Sequence, residues 1–214
     1  MKIHNVEQRS PEWYRLRAGI PTASEFSNLV TSTGAPSKSI PRYARQLAAE
    51  AFAGRTLDAW EGNQWTERGK ELEAEAMRLY EFATDQIVTP CGFVTNDSQT
   101  AGCSPDGLVG DDGLVEVKCL KADNHVEAVL YHQKNGRCQP DYVQQSQGQM
   151  WLCERKWCDL IFYHPVLPLL IIRQTPDAAV IAGLVEGVAA VARERNIILA
   201  ALHELQTPVS IAAE

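Results

Sequence analysis

The sequence predicts a mixed α/β fold, in which a central mixed β-sheet is flanked by helices. Three observations predict it: helical periodicity over about 10–83, short β-rich segments over about 85–175, and an apolar helical segment over about 177–205. Because the chain has 214 residues and no low-complexity linker, we expect a single domain over 1–214.

Start signals in the N-terminal part predict two short helices. Ser10 before Pro11 is typical of a helix start, and that helix is expected to end at Gly19. Residues 22–25 read Thr-Ala-Ser-Glu, which matches a capping box. A second short helix is therefore predicted from this box through Leu29.

Two longer helices are predicted in the same part of the chain. One covers about 41–53 and is ended by Gly54. The other covers about 65–82 and has an apolar stripe. The stripe consists of Leu72, Ala76, Leu79 and Tyr80.

The middle of the chain has the pattern of a β-sheet. Four short β-rich segments are separated by turn residues and lie at about 86–89, 92–95, 100–103 and 114–119. The tight-turn sequence Asp111-Asp112-Gly113 is expected to join the last two segments. Further along, helices are predicted at about 124–131 and 142–153, and strands at about 157–164 and 169–175.

Composition limits the classes of protein that the chain can belong to. The formal net charge of −7 argues against a protein that coats DNA non-specifically, since such domains are usually basic. It is compatible with a localised basic channel, because the field depends on how charge is distributed. The N-terminus has no apolar signal core, so a cytoplasmic protein without a membrane partner is expected.

The six cysteines give no sign of a metal cluster. They lie at 91, 103, 119, 138, 153 and 158, and no two of them are spaced C-x-x-C. This spacing disfavours a zinc site or an iron–sulfur cluster. Reduced and mostly buried thiols are the expected state.

The chemistry of the chain is concentrated around Asp106 and Glu116. Asp106 ends the sequence Ser-Pro-Asp, and Glu116 begins Glu-Val-Lys ten residues later. On a strand, Glu116 and Lys118 project from the same face. A hairpin between the two motifs would bring Asp106 beside Glu116.

Such a group suits the hydrolysis of a phosphodiester. Asp106, Glu116 and the backbone carbonyl of Val117 offer oxygen ligands for Mg²⁺, which neutralises charge that develops on phosphate. Lys118 is expected to have a lowered pKa and to position or deprotonate the attacking water. The alternative is an exposed cross-strand Glu–Lys pair, which contributes roughly 0.2–1 kcal/mol.

Five ordered blocks of sequence surround these residues. They comprise 13–17 with 22–25, then 69–73, 103–108, 116–119, and 142–145 with 150–151. Together they resemble the phage lambda exonuclease (YqaJ-type viral recombinase) family of the PD-(D/E)xK nuclease superfamily. The resemblance implies a restriction-endonuclease-like core and covers roughly 13–151.

The resemblance also implies roles for individual residues. The catalytic set would be Lys118, Glu116, Asp106, Glu73, Gln145 and Tyr142. The metal ligands would be Asp106, Glu116 and the Val117 carbonyl. The ligands of a terminal 5′-phosphate or of nearby DNA backbone would be Arg17, Ser24 and Ser104.

For several of these residues the local pattern leaves a simpler interpretation open. Tyr142, Gln145 and Gln149 share one helical face, which is also the pattern of a polar surface stripe. Arg17 could offset a helix dipole, Ser24 could be a capping-turn serine, and Glu73 could belong to a solvated acidic face. Gly148 costs the same helix about 1 kcal/mol relative to Ala, so a local irregularity is expected there.

The function implied by the resemblance is 5′→3′ digestion of linear duplex DNA with 5′-phosphate ends. The products would be 5′-mononucleotides and a 3′ single strand for phage or prophage recombination. Mg²⁺ would be the cofactor, with Mn²⁺ as a substitute, and the partners a homotrimeric ring and a single-strand annealing protein. Three alternatives remain open: a restriction-like endonuclease, an inactive DNA-end binding module, and a trimeric scaffold protein.

Overall fold

The computed structural model describes residues 1–57 and 64–206, which form two β-sheets with helices around them. The strands are β1 (Lys2–His4), β2 (Val88–Thr89), β3 (Phe93–Thr95), β4 (Gly102–Cys103), β5 (Gly107–Val109), β6 (Gly113–Cys119), β7 (Trp157–Tyr163) and β8 (Leu170–Gln174). The smaller sheet has the order β1-β3-β4, and the larger has the order β2-β5-β6-β7-β8.

The helices agree closely with the periodicity of the sequence. They are α1 (Pro11–Arg17), α2 (Ile40–Ala53), α3 (Gln64–Thr84), α4 (Ala122–Asn135), α5 (Val143–Leu152) and α6 (Ala178–Gln206). Two 3₁₀ helices lie at Ala23–Asn28 and Pro140–Tyr142. Among the described residues, no helix combines the length and apolarity needed to cross a membrane.

One parallel pair of strands makes the larger sheet mixed. β6 and β7 run parallel, whereas the other neighbours in this sheet run antiparallel. A parallel neighbour requires a crossover connection, and α4 and α5 lie in that connection. The expected mixed α/β fold, with helices flanking a central mixed sheet, is confirmed.

The two faces of β6 lie against different parts of the core. Val115 and Val117 pack with Ala76 and Tyr80 of α3. Leu114 belongs to the opposite core cluster, which includes residues of α2, α5 and α6. Side chains alternate along a strand, so Glu116 projects toward the α5 side together with Leu114. This is the alternation that the sequence predicts.

The strand that pairs with β6 differs from the expectation. The sequence predicts a hairpin between 100–103 and 114–119, but the hairpin partner of β6 is β5, for which no strand is predicted. β5 is only Gly-Leu-Val, too short for its pattern to stand out. Because Gly107 pairs with Val115, the hairpin register nevertheless brings Asp106 beside Glu116.

Helix α1 starts as predicted, whereas the prediction of a capping box at 22–25 is wrong. The Ser10 hydroxyl accepts a hydrogen bond from the N–H of Trp13 at 3.2 Å, and α1 follows. The second segment is a 3₁₀ helix without a side-chain cap at Thr22. The Thr22 hydroxyl instead accepts a hydrogen bond from Arg17 at 3.1 Å, which takes it away from the helix terminus.

One residue of the predicted stripe on α3 lies outside the core. Ala76 and Tyr80 are fully buried and Leu72 packs against them, but Leu79 is 41 % exposed. Residues four apart are closely aligned along a helix, so 72, 76 and 80 share the buried face. Leu79 lies one position before Tyr80, at the edge of that face.

Helix α5 is regular through Gly148, contrary to the expected irregularity. A Cβ atom at this position would overlap the ring of Phe26. Glycine is therefore required by the close packing of the first 3₁₀ helix against α5, and the helical hydrogen bonds continue past it. The six cysteines are free thiols, as expected.

Candidate active site

Asp106 continues the pairing of β6 at the point where β5 begins. Its carboxylate accepts a 2.6 Å hydrogen bond from the N–H of Val117, and its own N–H donates to the Val115 carbonyl at 3.2 Å. Backbone groups of residues two apart on a strand point to the same side. The Val117 carbonyl therefore points to the Asp106 side of β6. It lies past the paired part of the hairpin, because β5 begins at Gly107, opposite Val115.

Three side chains hold Glu116 in place. Its Oε1 accepts hydrogen bonds from Lys118 Nζ at 2.9 Å and from Gln145 Nε2 at 2.5 Å. Its Oε2 accepts one from Gln149 Nε2 at 2.6 Å. Both glutamines come from α5, so the crossover helix fixes the orientation of a carboxylate on β6. The Glu116 side chain is only 7 % exposed.

Lys118 is held by groups from α5 and its N-terminal turn. Its Nζ donates to Gln145 Oε1 at 2.7 Å as well as to Glu116. The same atom lies 5.9 Å from the centre of the Tyr142 ring, a cation–π arrangement. The structure thus brings Glu116, Lys118, Tyr142 and Gln145 together, and the polar stripe on α5 faces the site rather than solvent.

Burial and two neighbouring acids determine the pKa shifts at this site. Burial, followed by the charge of Glu116, raises the pKa of Asp106 well above its usual range, although the Val117 N–H opposes this. For Lys118, burial lowers the pKa, but the charge of Glu116 and its hydrogen bond outweigh burial and the pKa is raised. The lowered pKa expected from the sequence depends on a cation beside the amine and stays a prediction, because the raised pKa reflects the neighbouring acids alone.

The donor atoms at this site fit a hard divalent cation. Asp106, Glu116 and the Val117 carbonyl present only oxygen, the ligand type that Mg²⁺ prefers. A cation between the two acids would relieve the repulsion that raises the pKa of Asp106. Within the described ranges, no group of three His, Cys, Asp or Glu side chains could hold a metal, so a third protein ligand would have to be a carbonyl or amide oxygen.

Glu73 lies near this cluster but is not bonded to it. Its Oε1 accepts a 3.1 Å hydrogen bond from Arg9 Nη2. Together with Asp106 it lines a pocket of about 550 Å³, and its charge contributes to the raised pKa of Asp106. Glu73 is therefore placed beside the acids in a pocket open to solvent.

A second pocket, of about 170 Å³, adjoins the cluster. It is lined by Gln8, Arg9, Trp13, Arg17, Ala23, Ser24, Ser104, Gln145 and Gln149. The structure thus brings together the three residues expected to bind phosphate, Arg17, Ser24 and Ser104. Because Gln145 and Gln149 also contact Glu116, these two amide side chains are shared by the pocket and the acidic cluster.

The charge and hydroxyl groups of this pocket suit an anion. Arg17 donates to Ser24 Oγ at 3.3 Å and its guanidinium lies 4.1 Å from the Trp13 ring centre. Trp13 Nε1 donates to Ser104 Oγ at 2.7 Å, which orients that hydroxyl. No ion pair between Arg17 and a carboxylate occurs in the part of the chain that the structure describes. Burial lowers the pKa of Arg17, which remains a cation.

Some residues that line the site have no role that could be assigned from the sequence. Gln149 lies on the polar stripe of α5, but the pattern of the stripe does not predict its contact with Glu116. Trp13 lay in a recognised block without an assigned role. Arg9 carried no signal, because it lies in an irregular segment and reaches α3 from far along the chain.

The chain is similar to one protein family and to several solved exonuclease structures. Residues 12–156 match the model of the YqaJ-like viral recombinase domain. The chain is 33 % identical to an alkaline exonuclease (LHK-Exo) from Laribacter hongkongensis, with a TM-score of 0.78 and coverage of 91 % of this chain and 97 % of that one. The complex of LHK-Exo with dAMP matches at 32 % identity and the same TM-score, 0.78, with the same coverage of both chains.

A more distant structure supports the fold alone. A phage-related exonuclease from Haemophilus somnus 129PT is 17 % identical, with a TM-score of 0.66 and coverage of 86 % of this chain and 96 % of that one. No curated protein matches the chain. The expected restriction-endonuclease-like core is confirmed by these structures. Because the family model covers most of the chain, this protein belongs to the YqaJ-like viral recombinase domain family.

Proposed function

We propose that this protein is a metal-dependent exonuclease that digests linear duplex DNA 5′→3′ from 5′-phosphorylated ends. Family membership and the identity to an alkaline exonuclease support a DNA exonuclease. The polarity, the end preference and the metal are parts of the proposal. One observation carries it: Gln145 and Gln149 line the Arg17 pocket and also bind Glu116.

Because Gln145 and Gln149 belong to both sites, the distance between the end of the DNA strand and the cleaved bond would be fixed. A terminal 5′-phosphate would occupy the pocket of Arg17, Ser24 and Ser104, where a cation and hydroxyl groups can bind its oxygens. The next phosphate along the strand would then lie at Asp106, Glu116 and Lys118. The enzyme would remove one nucleotide at a time because the two sites are neighbours.

Hydrolysis at the second site requires attack of a water oxygen on phosphorus. The new O–P bond forms while the bond from phosphorus to the 3′ oxygen breaks, and that oxygen takes up a proton. Lys118 would orient the water through Nζ and, when neutral, accept its proton, while Gln145 and Tyr142 hold Lys118 in place. Mg²⁺ or Mn²⁺, held by Asp106, Glu116 and the Val117 carbonyl, would supply charge that stabilises the transition state.

Each cycle would prepare the next. Cleavage at the 3′ oxygen leaves a new 5′-phosphate on the shortened strand, and this group is the ligand that the Arg17 pocket requires. The end can advance by one nucleotide without leaving the protein. The proposed products are 5′-mononucleotides and a 3′ single strand, which an annealing protein would use in phage recombination.

A digestion assay tests the proposal. Linear duplexes with 5′-phosphate or 5′-hydroxyl ends and a closed circular duplex are incubated with Mg²⁺ or with EDTA. One strand of each linear duplex carries different fluorescent bases near its two ends. We expect Mg²⁺-dependent release of the 5′ label first, faster from phosphorylated ends, and an intact circle. Cutting of the circle would support a restriction-like endonuclease instead, and binding without digestion an inactive end-binding module.

The family resemblance also implies an oligomeric assembly. We propose that three copies form a ring through which the undigested strand passes. The mass in solution, measured by light scattering, is expected to be three times the 23.7 kDa of one chain. A monomer or dimer at micromolar concentration would contradict the ring.

A further inference from the structure

Arg9 has an unusual backbone conformation directly before helix α1. Its φ angle is 69°, in the left-handed region that residues other than glycine rarely adopt. The next residue, Ser10, is the N-cap of α1. Strain of this kind costs free energy, and it is found most often at functional sites.

The Arg9 side chain lies between the two proposed binding sites. It lines the pocket of Arg17, Ser24 and Ser104. Its Nη2 also lies 3.1 Å from Oε1 of Glu73, which shares another pocket with Asp106. A group bound between the Arg17 pocket and Asp106 would therefore pass close to this guanidinium.

The ion pair between Arg9 and Glu73 does not explain why Arg9 is held in this position. The two side chains are 35 % and 37 % exposed, and ion pairs of that exposure contribute little to stability. A phosphodiester oxygen offers the guanidinium a charged acceptor that can take two parallel hydrogen bonds. Such a ligand can displace Glu73 at small cost.

We infer that Arg9 binds the scissile phosphodiester of the DNA, exchanging Glu73 for it when a duplex end enters. The inference rests on the proposed exonuclease function and adds a substrate-binding residue to it. Arg9 and Arg17 then hold successive phosphates of one strand. The exchange also frees the Glu73 carboxylate on the side of the pocket that it shares with Asp106.

The backbone of Arg9 provides a favourable test variant. Arg9→Gly removes the guanidinium and suits the left-handed φ, so we expect the variant to fold. Arg15→Ala is the matched control, because Arg15 is an exposed arginine of α1 that lines neither pocket. Both variants are made in a Lys118→Ala background with Mg²⁺ present, so that binding is measured without digestion.

The probes are two short duplexes with 5′-phosphate ends. One is unmodified, and the other carries a neutral methylphosphonate at the linkage after the first nucleotide of the 5′-phosphorylated strand. We expect Arg9→Gly to weaken binding of the unmodified end about tenfold or more, as for hydrogen bonds between charged groups. Binding of the methylphosphonate end should change less than about twofold, and Arg15→Ala should change both less than about twofold. Arg9→Lys should restore part of the affinity, because the charge remains but the forked geometry is lost.

Other outcomes overturn the inference. Equal weakening on both duplexes places the contact at another phosphate, and unchanged affinity for both leaves Arg9 as a surface partner of Glu73. In either case the Lys118→Ala protein that retains Arg9 still binds phosphorylated ends, so the proposed function stands. If that protein does not bind duplex ends at all, the proposed function fails and the inference fails with it.

Discussion

The N–H of Val117 donates a 2.6 Å hydrogen bond to the carboxylate of Asp106. This bond joins the Ser-Pro-Asp segment to the strand that carries Glu116 and Lys118, although the two motifs are ten residues apart in the sequence. It fixes one carboxylate oxygen of Asp106 and leaves the other for a ligand. The two parts of the proposed metal site are therefore held in register by the backbone rather than by flexible side chains.

Replacing Asp106 with Asn should abolish digestion but stabilise the metal-free protein. Because the pKa of Asp106 is raised, the folded state favours the neutral carboxyl. The stability that this group contributes is fully present below its unfolded pKa of about 3.9 and is lost as the pH rises through the folded pKa. Asn can still accept the Val117 hydrogen bond without a charge. Thermal melts of both proteins with EDTA should therefore diverge in favour of Asp106→Asn as the pH rises. A wild type that is more stable at every pH would contradict this.

Mg²⁺ should raise the melting temperature of the wild type and have little effect on Asp106→Asn. A ligand that binds only the folded state stabilises it by about 2.7 kcal/mol at one hundred times its Kd. Melts are compared in MgCl₂ and in KCl at equal ionic strength, which removes the general effect of salt. The ligand assignment fails if the two proteins respond equally to Mg²⁺.

Gln149→Leu should lower the rate of digestion about tenfold to a hundredfold, as is typical when a group that orients a metal ligand is lost. The amide fixes Oε2 of Glu116 at 2.6 Å, and leucine has a similar volume without a donor. The Mg²⁺ concentration needed for half-maximal activity should rise as well. A lower rate with an unchanged Mg²⁺ requirement would assign Gln149 to DNA binding alone.

The periodicity of the sequence predicts which side chains of the acidic cluster share a face, and the family resemblance predicts that the two faces meet. The period of a strand puts Glu116 and Lys118 on one face, and the period of a helix aligns Gln145 with Gln149. Because both patterns belong to regular elements, the faces could be assigned before any contact was known. Which of the two helical interpretations applied, buried or exposed, depended on the crossover that places α5 over β6.

Contacts made by irregular segments could not be predicted. β5 has three residues, and Arg9 lies in a segment with neither period. The capping box at Thr22 has a valid local pattern, but the Arg17 guanidinium competes for the same hydroxyl. In each case a partner distant in space decides the outcome, and local sequence carries no information about that partner.

Arg17→Ala should remove the preference for phosphorylated ends. Its guanidinium faces hydroxyl groups rather than carboxylates, so it is available for a dianionic terminal phosphate. Initial rates are measured on matched duplexes with 5′-phosphate or 5′-hydroxyl ends. We expect the ratio of the two rates to fall to about one, mainly through loss on phosphorylated ends. An unchanged ratio would remove Arg17 from the phosphate pocket.

Gly148→Ala should destabilise the fold and impair the site through Phe26. The added Cβ would overlap the Phe26 ring, and overpacking of this kind typically costs about 1–3 kcal/mol. Relief of the clash by a shift of α5 would move Gln145 and Gln149 away from Glu116. Activity should therefore fall together with stability.

A double substitution separates this clash from the ordinary effect of alanine in a helix. Phe26→Leu alone leaves a space in the core and is destabilising, but it also removes the ring atoms that oppose the Cβ added by Gly148→Ala. The free energy of unfolding, measured with urea, should therefore be lowered less in the double variant than by the sum of the two single changes. Additive effects would show that Gly148 is not required by its contact with Phe26, and that the position of α5 over Glu116 has another cause.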